Sequence, residues 1–441
     1  MAKTVFISSD KKNVIKRIVL FILFLIIAVV SLTYGVNACA KQYQPQEGLQ
    51  KIELDAIKLP NDQIITPFEN EINFYYYIEK TKKYSISEQY SLVNQVYQQI
   101  AYTSFLCFHS EIEFEEYKNL AYITNHPNEV IQVSDFLFNA LKDAYQKTII
   151  ENSPYNVFSG KIYDFWEELM YSSTKNPDPA LSAINKQKLE KIVQSLNQKD
   201  AYSLTFNDER KTITYVLLDE TLKEDLKLDF NVLYEAYVIQ TMADYLKTYG
   251  LQKGYFISQN GYYLHLKEYW TKDETVSLAI HLYAKQDSQT SYQSLQIASF
   301  LMNGSVMGST FTNYYLNEND SMKYQITLTD GTCIRRHLYY DALTGYPLTT
   351  IRYSRIYTNS TGAQLADIGF DNLNLMTSTQ KEAYAYVLAN NDQDKKMLYI
   401  VDNGLLDDII DDKWNLYYQN VDSFQIEEIY QNQFHEIPFS S

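Results

Sequence analysis

Four cations, Lys11, Lys12, Lys16 and Arg17, stand directly before an apolar run over residues 18–36. That run holds 19 residues, enough for about 28 Å of helix at a rise of about 1.5 Å per residue. The basic flank predicts an N-terminus left in the cytoplasm and everything after the run on the far side of the membrane. The same stretch also reads as a lipoprotein signal, because Val36-Asn37-Ala38-Cys39 sets a small residue before a cysteine. Both readings put the rest of the chain on the outer face of the cytoplasmic membrane, behind one anchor. The partition that follows is a basic cytoplasmic end over 1–17, a membrane helix or signal anchor over 18–36, an extracytoplasmic tether over 37–67 and a single domain over 68–441. The tether is polar and carries Pro45, Pro60 and Pro67.

With 46% hydrophobic and 21% charged residues in 441, the body has enough apolar material for a sizeable core, which excludes wholesale disorder. A formal charge of −16 excludes a protein built on nucleic-acid contacts, since phosphate binding needs a basic footprint. Cys39, Cys107 and Cys333 have neither the spacing of a zinc site nor the even count of a disulfide framework.

Apolar spacing behind Ser134 predicts a capped helix with Leu137, Leu141 and Ala144 on one face. A second helix is expected over about 232–249, stopped by Gly250. Asn260-Gly261 between Tyr255-Phe256-Ile257 and Tyr262-Tyr263-Leu264 predicts a hairpin, and Asp330-Gly331 predicts another between 324–328 and 332–337. Hairpins interleaved with helices indicate an α+β architecture.

Two segments carry chemistry. In His337-Leu338-Tyr339-Tyr340-Asp341-Ala342-Leu343-Thr344-Gly345-Tyr346-Pro347 a histidine precedes a tight turn. It reads either as an ordinary hairpin or as a base held rigidly at a strand end, ready to take a proton from a hydroxyl. In Ala366-Asp367-Ile368-Gly369-Phe370-Asp371 two carboxylates stand four residues apart on a helix, either as a solvated face or as ligands of a Mg²⁺ ion.

Together these segments resemble the FAD:protein FMN transferase (ApbE) family, whose pattern is His-Ile-Ile-Asp-Pro-x-Thr-Gly-Tyr-Pro followed downstream by Ala-Asp-x-x-x-Thr. His337, Asp341, Thr344, Gly345, Tyr346 and Pro347 match it, as do Ala366 and Asp367, with Asp371 at the threonine position. The stretch from Tyr155-Asn156 to Trp166 is similar to the family's Phe-Asn-Pro segment, Leu228-Asp229 to Gly250 to its Asp-Leu-Gly-Gly-x-x-Lys-Gly helix, and Ile257 to Gly261 to a strand ending in a glycine pair. The resemblance covers about residues 70–405. It implies a T-fold-related α+β domain of antiparallel hairpins and helices that uses Mg²⁺ to split FAD and attach FMN to a Ser or Thr of an acceptor flavoprotein at the cell surface. By the same token His337 is the implied base, and Asp367 and Asp371 the implied metal ligands. Asn156, Asp229, Asn260, Gly261, Ser309, Arg336, Asp341, Thr344 and Gly345 are the implied flavin-nucleotide contacts.

The departures are equally concrete. Asn231-Val232-Leu233-Tyr234-Glu235-Ala236 stands where the family has Gly-Gly-x-x-Lys-Gly, so a carboxylate replaces a cation and side chains replace glycines that let backbone approach phosphate. Gly308-Ser309-Thr310-Phe311 replaces Thr-Ser-Gly-Asp. Two functions therefore remain open: a diverged transferase in which Arg336 supplies phosphate charge, and a catalytically degenerate flavin-binding or protein-interaction module. His109 with Glu111 to Glu116, and Asp407, Asp408, Asp411 and Asp412, read as solvated faces.

Overall fold

The computed structural model describes residues 45–59, 62–69, 71–114, 116–171, 178–266, 275–285, 292–303, 306–312, 325–331, 333–360, 362–390, 392–402, 414–421 and 424–438. The proposed anchor over 18–36, Cys39 and the acidic run over 407–412 lie outside these residues. Among the described residues no helix is long and apolar enough to cross a membrane.

The described residues fall into two compact units, 45–50 with Tyr77–Leu92, and Lys51–Tyr76 with those from Val93 onward. In the smaller one, Ser85 and Glu88 form a reciprocal cap at the start of the helix Ile86–Phe108. The Glu88 carboxylate accepts from Ser85 N at 2.8 Å and from Ser85 Oγ at 2.7 Å, and Glu88 N donates to Ser85 Oγ at 3.3 Å.

In the larger unit an antiparallel sheet runs in the order Ile72–Ile78, Gly254–Ser258, Tyr262–His265, Met307–Thr312, Ile351–Thr358, Lys395–Asp402 and Trp414–Gln419. Phe434–Glu436 joins the last of these in parallel. Alternation explains the first strand: its residues over 72–78 read buried, half-buried, buried throughout, with Phe74 and Tyr76 on the core face. The Asn260-Gly261 hairpin forms, pairing Phe256 with Leu264 and Ile257 with Tyr263 around a three-residue loop over 259–261, and Gly331 turns the second hairpin between Gln325–Thr327 and Cys333–Arg335.

One face of this sheet is covered by Leu365–Met376, which packs across Met307–Thr312 and Ile351–Thr358, and by Tyr234–Thr248 beside it. Gly369 permits that approach, because a Cβ there would stand 2.5 Å from the Tyr262 hydroxyl. A long hairpin of Thr275–Lys285 with Tyr292–Asn303 closes a second apolar cluster that includes Ile280, Phe300, Tyr357, Leu398 and Trp414. A separate three-stranded sheet of Ile131–Gln132, Thr212–Leu217 and Tyr202–Asn207 packs with the helix Asp135–Thr148. As expected, Ser134 caps that helix, accepting from Leu137 N at 3.3 Å, and Leu137, Leu141 and Ala144 are buried. A cap of this kind contributes about 1 kcal/mol.

The stretch read as a tether departs from that reading. Gly48–Ile52, Ile57–Lys58 and Ile64–Ile65 are strands, and Leu59 packs with Leu106 and Phe114. The body therefore begins before residue 68, because Ile52, Leu59 and neighbours supply apolar contacts that a count of prolines does not reveal.

Candidate functional site

Segments distant in sequence line a cavity of about 900 Å³, among them residues 105–111, 163–167, 229–235, the turn at 259–261, the Leu338-Tyr339 pair and the strand faces bearing Thr310 and Arg355. The turn is pressed onto the neighbouring strand: Gly261 has φ +93° and a Cβ on it would meet the Thr310 carbonyl oxygen at 2.0 Å. Only glycine fits there.

The wall at 229–235 is built by a tight turn. Asp229 Oδ1 accepts from Asn231 N at 2.6 Å, which holds Asn231 at φ +51°, a left-handed conformation that asparagine tolerates better than most residues. Asn231 Nδ2 then reaches Ser159 Oγ at 3.1 Å, and Ser159 Oγ lies 2.9 Å from the Tyr340 hydroxyl. Through this chain the Asn156 segment, the 229–236 segment and the His337–Pro347 loop, read separately in the sequence, meet at one place.

Chemically the wall is aromatic and acidic. Phe105, Phe108, Tyr163, Tyr234, Tyr339 and Tyr353 face the space, together with the carboxylates of Glu71, Glu111, Asp164, Glu167, Asp229 and Glu235. Burial raises Glu71, Glu167 and Asp229 above the usual carboxylate range. Burial, with the nearby charge of Glu71, pushes Glu235 up to about 7. Burial also lowers His109, whose Nδ1 accepts from Glu111 N and Ile112 N, both at 3.1 Å. Behind the wall the buried Lys227 ammonium pairs with Glu111, and with Asp164 at 2.7 Å. Arg355 is the arginine of the wall; it donates to Thr310 Oγ1 at 2.8 Å and to the Ala279 carbonyl.

Of the residues singled out in the sequence, Asp229, Asn260 and Gly261 line this cavity. Asn260 Nδ2 donates to Glu235 Oε1 at 2.9 Å. Asn156 and Ser309 are buried behind it, Ser309 Oγ accepting from Asn372 Nδ2 at 2.9 Å. Asp341, Thr344 and Gly345 form the expected turn, with Gly345 N donating to the Asp341 carbonyl at 2.7 Å and Trp166 Nε1 to the Gly345 carbonyl at 2.8 Å.

His337 sits elsewhere than a base should. It is fully buried, Nδ1 accepts from Tyr339 N at 3.2 Å, and Nε2 lies 2.7 Å from the Leu348 carbonyl oxygen. That pairing makes Nε2 the protonated nitrogen and leaves neither nitrogen free for a proton from a substrate. Burial depresses the imidazole to about 4. The register explains the placement. His337 stands four residues before Asp341, whereas the family pattern has three, so the pattern's histidine position falls on Leu338, and it is Leu338 that lines the cavity. Arg336 is likewise committed, with Nε and Nη2 on the two oxygens of Asp178 at 2.9 and 3.0 Å and its guanidinium over the Trp166 ring. It serves packing here and does not line the cavity.

The implied Mg²⁺ ligands do not converge on a metal position. Asp367 Oδ1 is 2.7 Å from Lys147 Nζ, which also bonds Asp143 Oδ2 at 2.7 Å. Asp371 is buried, accepting from Lys395 Nζ at 2.6 Å and from the Tyr386 hydroxyl at 2.7 Å. Asp371 is thus paired with Lys395 while Asp367 shares Lys147 with Asp143, and the donor set does not fit a shared divalent cation. Among the described residues no group of three or more His, Cys, Asp or Glu side chains could hold one.

Glu71, His109, Glu111, Asp164, Leu338 and Arg355 belong to the site and were not assigned to it from sequence. His109 and Glu111 were visible as a cluster but read as a solvated face; the rest carry no local signal.

No family model and no curated protein matches the chain. Solved structures do. The ApbE protein of Thermotoga maritima superposes at a TM-score of 0.50 with 12% identity over 86% of this chain and 99% of its own. The flavin transferase ApbE of Vibrio cholerae gives 0.50 with 15% identity over 79% and 93%. The apo flavinyl transferase ApbE of Pseudomonas stutzeri gives 0.51 with 10% identity over 88% and 98%. The fold is ApbE-like, and the low identities are those of a divergent chain.

Proposed function

We propose that this chain is a flavin-binding protein on the ApbE fold, with the cavity as its binding site and without the transfer chemistry of the fold's enzymes. The observation that carries this reading is Leu338: an apolar side chain occupies the wall where the family pattern sets its histidine, on a cavity whose volume and aromatic faces suit a fused ring system. The lysine-paired Asp367 and Asp371, and the commitment of Arg336 to Asp178, support it.

A second reading, Mg²⁺-dependent transfer of FMN from FAD to a Ser or Thr of an acceptor flavoprotein, is favoured by two observations. The Asp341–Pro347 turn is kept intact beside the cavity, and the Asp367 side chain remains 55% exposed. Under either reading the protein sits on the outer face of the cytoplasmic membrane, held by residues 18–36; the basic flank supports this placement.

Titration of the full chain with flavins, followed by flavin fluorescence with and without Mg²⁺, tests the proposal. Micromolar binding, about −8 kcal/mol, that is indifferent to Mg²⁺ is the expected result. Release of AMP from FAD, dependent on Mg²⁺ and an acceptor, would instead establish the transferase. Absence of any flavin binding would sink both.

A further inference from the structure

Three strands supply a stretch of the cavity wall that carries no carboxylate. Ala279 and His281 come from Thr275–Lys285, Thr310 and Thr312 from Met307–Thr312, and Tyr353 and Arg355 from Ile351–Thr358. Alternation along each strand puts them there: Ile280, Phe311 and Ser354, which stand between them, are 0% exposed and face away. The register sets Thr310 opposite Arg355 and Thr312 opposite Tyr353. These polar groups have surface to offer, since His281 is exposed and Thr310, Thr312 and Arg355 are half-buried.

Arg355 differs from the other buried or half-buried cations described above. Arg336, Lys147, Lys227 and Lys395 each sit on a carboxylate. Arg355 donates from Nε to Thr310 Oγ1 at 2.8 Å and from Nη1 to the Ala279 carbonyl, and among the described residues no carboxylate neutralises it. Those two bonds fix the guanidinium between the sheet and the long hairpin, with the Tyr353 and Tyr357 ring centres at 5.8 and 5.2 Å. A guanidinium has more N–H donors than two acceptors take up. Burial lowers the neighbouring His281 imidazole and the Arg355 charge lowers it further, with no carboxylate to offset them. The carboxylates of the cavity stand on other segments, and Lys227 pairs with Glu111, Asp164 and Asp229.

We propose, resting on the flavin reading above, that this stretch is an oxyanion subsite that holds the phosphate of a phosphorylated flavin. Arg355 supplies the charge and further N–H donors. Thr310 Oγ1 accepts from Arg355, which leaves its O–H to donate to the same oxyanion, and the His281 imidazole stands beside them. The phosphate charge that the sequence suggested for Arg336 then comes from Arg355, which no motif marks.

The test is parallel titration of the full chain and of its Arg355→Gln and His281→Gln variants with riboflavin and FMN, followed by flavin fluorescence. FMN should bind the wild type about tenfold or more tightly than riboflavin, the scale of one charge-assisted contact. Arg355→Gln should bring that ratio close to one, and His281→Gln should lower it severalfold. If Arg355→Gln fails to fold, judged by far-UV circular dichroism, His281→Gln at its exposed position decides. Riboflavin binding as tightly as FMN overturns the subsite and leaves the flavin reading standing, as does an FMN preference that neither variant reduces. If no flavin binds, the flavin reading fails and inorganic phosphate decides the subsite. A phosphate-induced shift of the His281 imidazole proton resonance, lost in Arg355→Gln, then upholds it. No shift at about 10 mM phosphate, or one that persists in Arg355→Gln, overturns it.

Discussion

Replacing Arg336 by methionine separates its two possible roles. Its guanidinium makes two parallel bonds to Asp178 at 2.9 and 3.0 Å, with the two side chains 6% and 0% exposed. It also lies 5.1 Å from the Trp166 ring centre and 5.6 Å from that of Tyr346. Methionine keeps much of the apolar stem but leaves the Asp178 carboxylate buried, with the Ala180 N–H at 2.8 Å as its remaining donor among the bonds described. Breaking a buried pair from one side costs about 3–5 kcal/mol, more than the pair itself contributes, because the surviving charge has no water. Arg336→Lys keeps the charge but loses the planar fork, and should cost less than the methionine variant. Urea unfolding of both, with Asp178→Asn and the Arg336→Met/Asp178→Asn double variant to close a cycle, measures the coupling. The double variant should be more stable than Arg336→Met alone. If Arg336→Met costs under about 1 kcal/mol and instead abolishes flavin binding, Arg336 is a ligand contact and the structural argument is wrong.

Two further outcomes follow from buried groups and from one turn. Glu235 is raised to about 7 by burial, so from about pH 4.5 to 7 the folded chain holds a proton that the unfolded chain releases, and stability falls as pH rises through that window. His337 is depressed to about 4, so between about 4 and 6.5 the unfolded imidazole binds a proton that the folded one refuses, and stability falls as pH drops. The two slopes oppose each other, so Glu235→Gln and His337→Gln should tilt the stability profile in opposite directions; parallel shifts in melting temperature against pH would refute the assignment. Gly261→Ala places a Cβ 2.0 Å from the Thr310 carbonyl oxygen at a φ of +93°, and should cost about 1–3 kcal/mol and loosen the cavity wall. Thermal unfolding of this variant within a degree of the wild type would mean that the turn is not held against the strand.

The sequence alone determined what depends on neighbours a few residues apart. The Ser134 cap, the Asn260-Gly261 hairpin, the stop at Gly250 and the Asp341–Pro347 turn all formed as read, because capping, φ preference and turn chemistry are settled locally. The motif resemblance also reached the ApbE-like fold, since a family pattern records long-range packing that periodicity does not. Only the tertiary structure decided which side chains face the cavity. A one-residue difference before Asp341 put Leu338 in the wall and His337 in the core, since neighbouring side chains project differently. Lys147 and Lys395 reach Asp367 and Asp371 from remote elements, with Lys147 220 residues away in sequence, and turn implied metal ligands into ion pairs. Local rules fix a backbone turn; the partner of a charge is chosen by whatever the fold brings beside it.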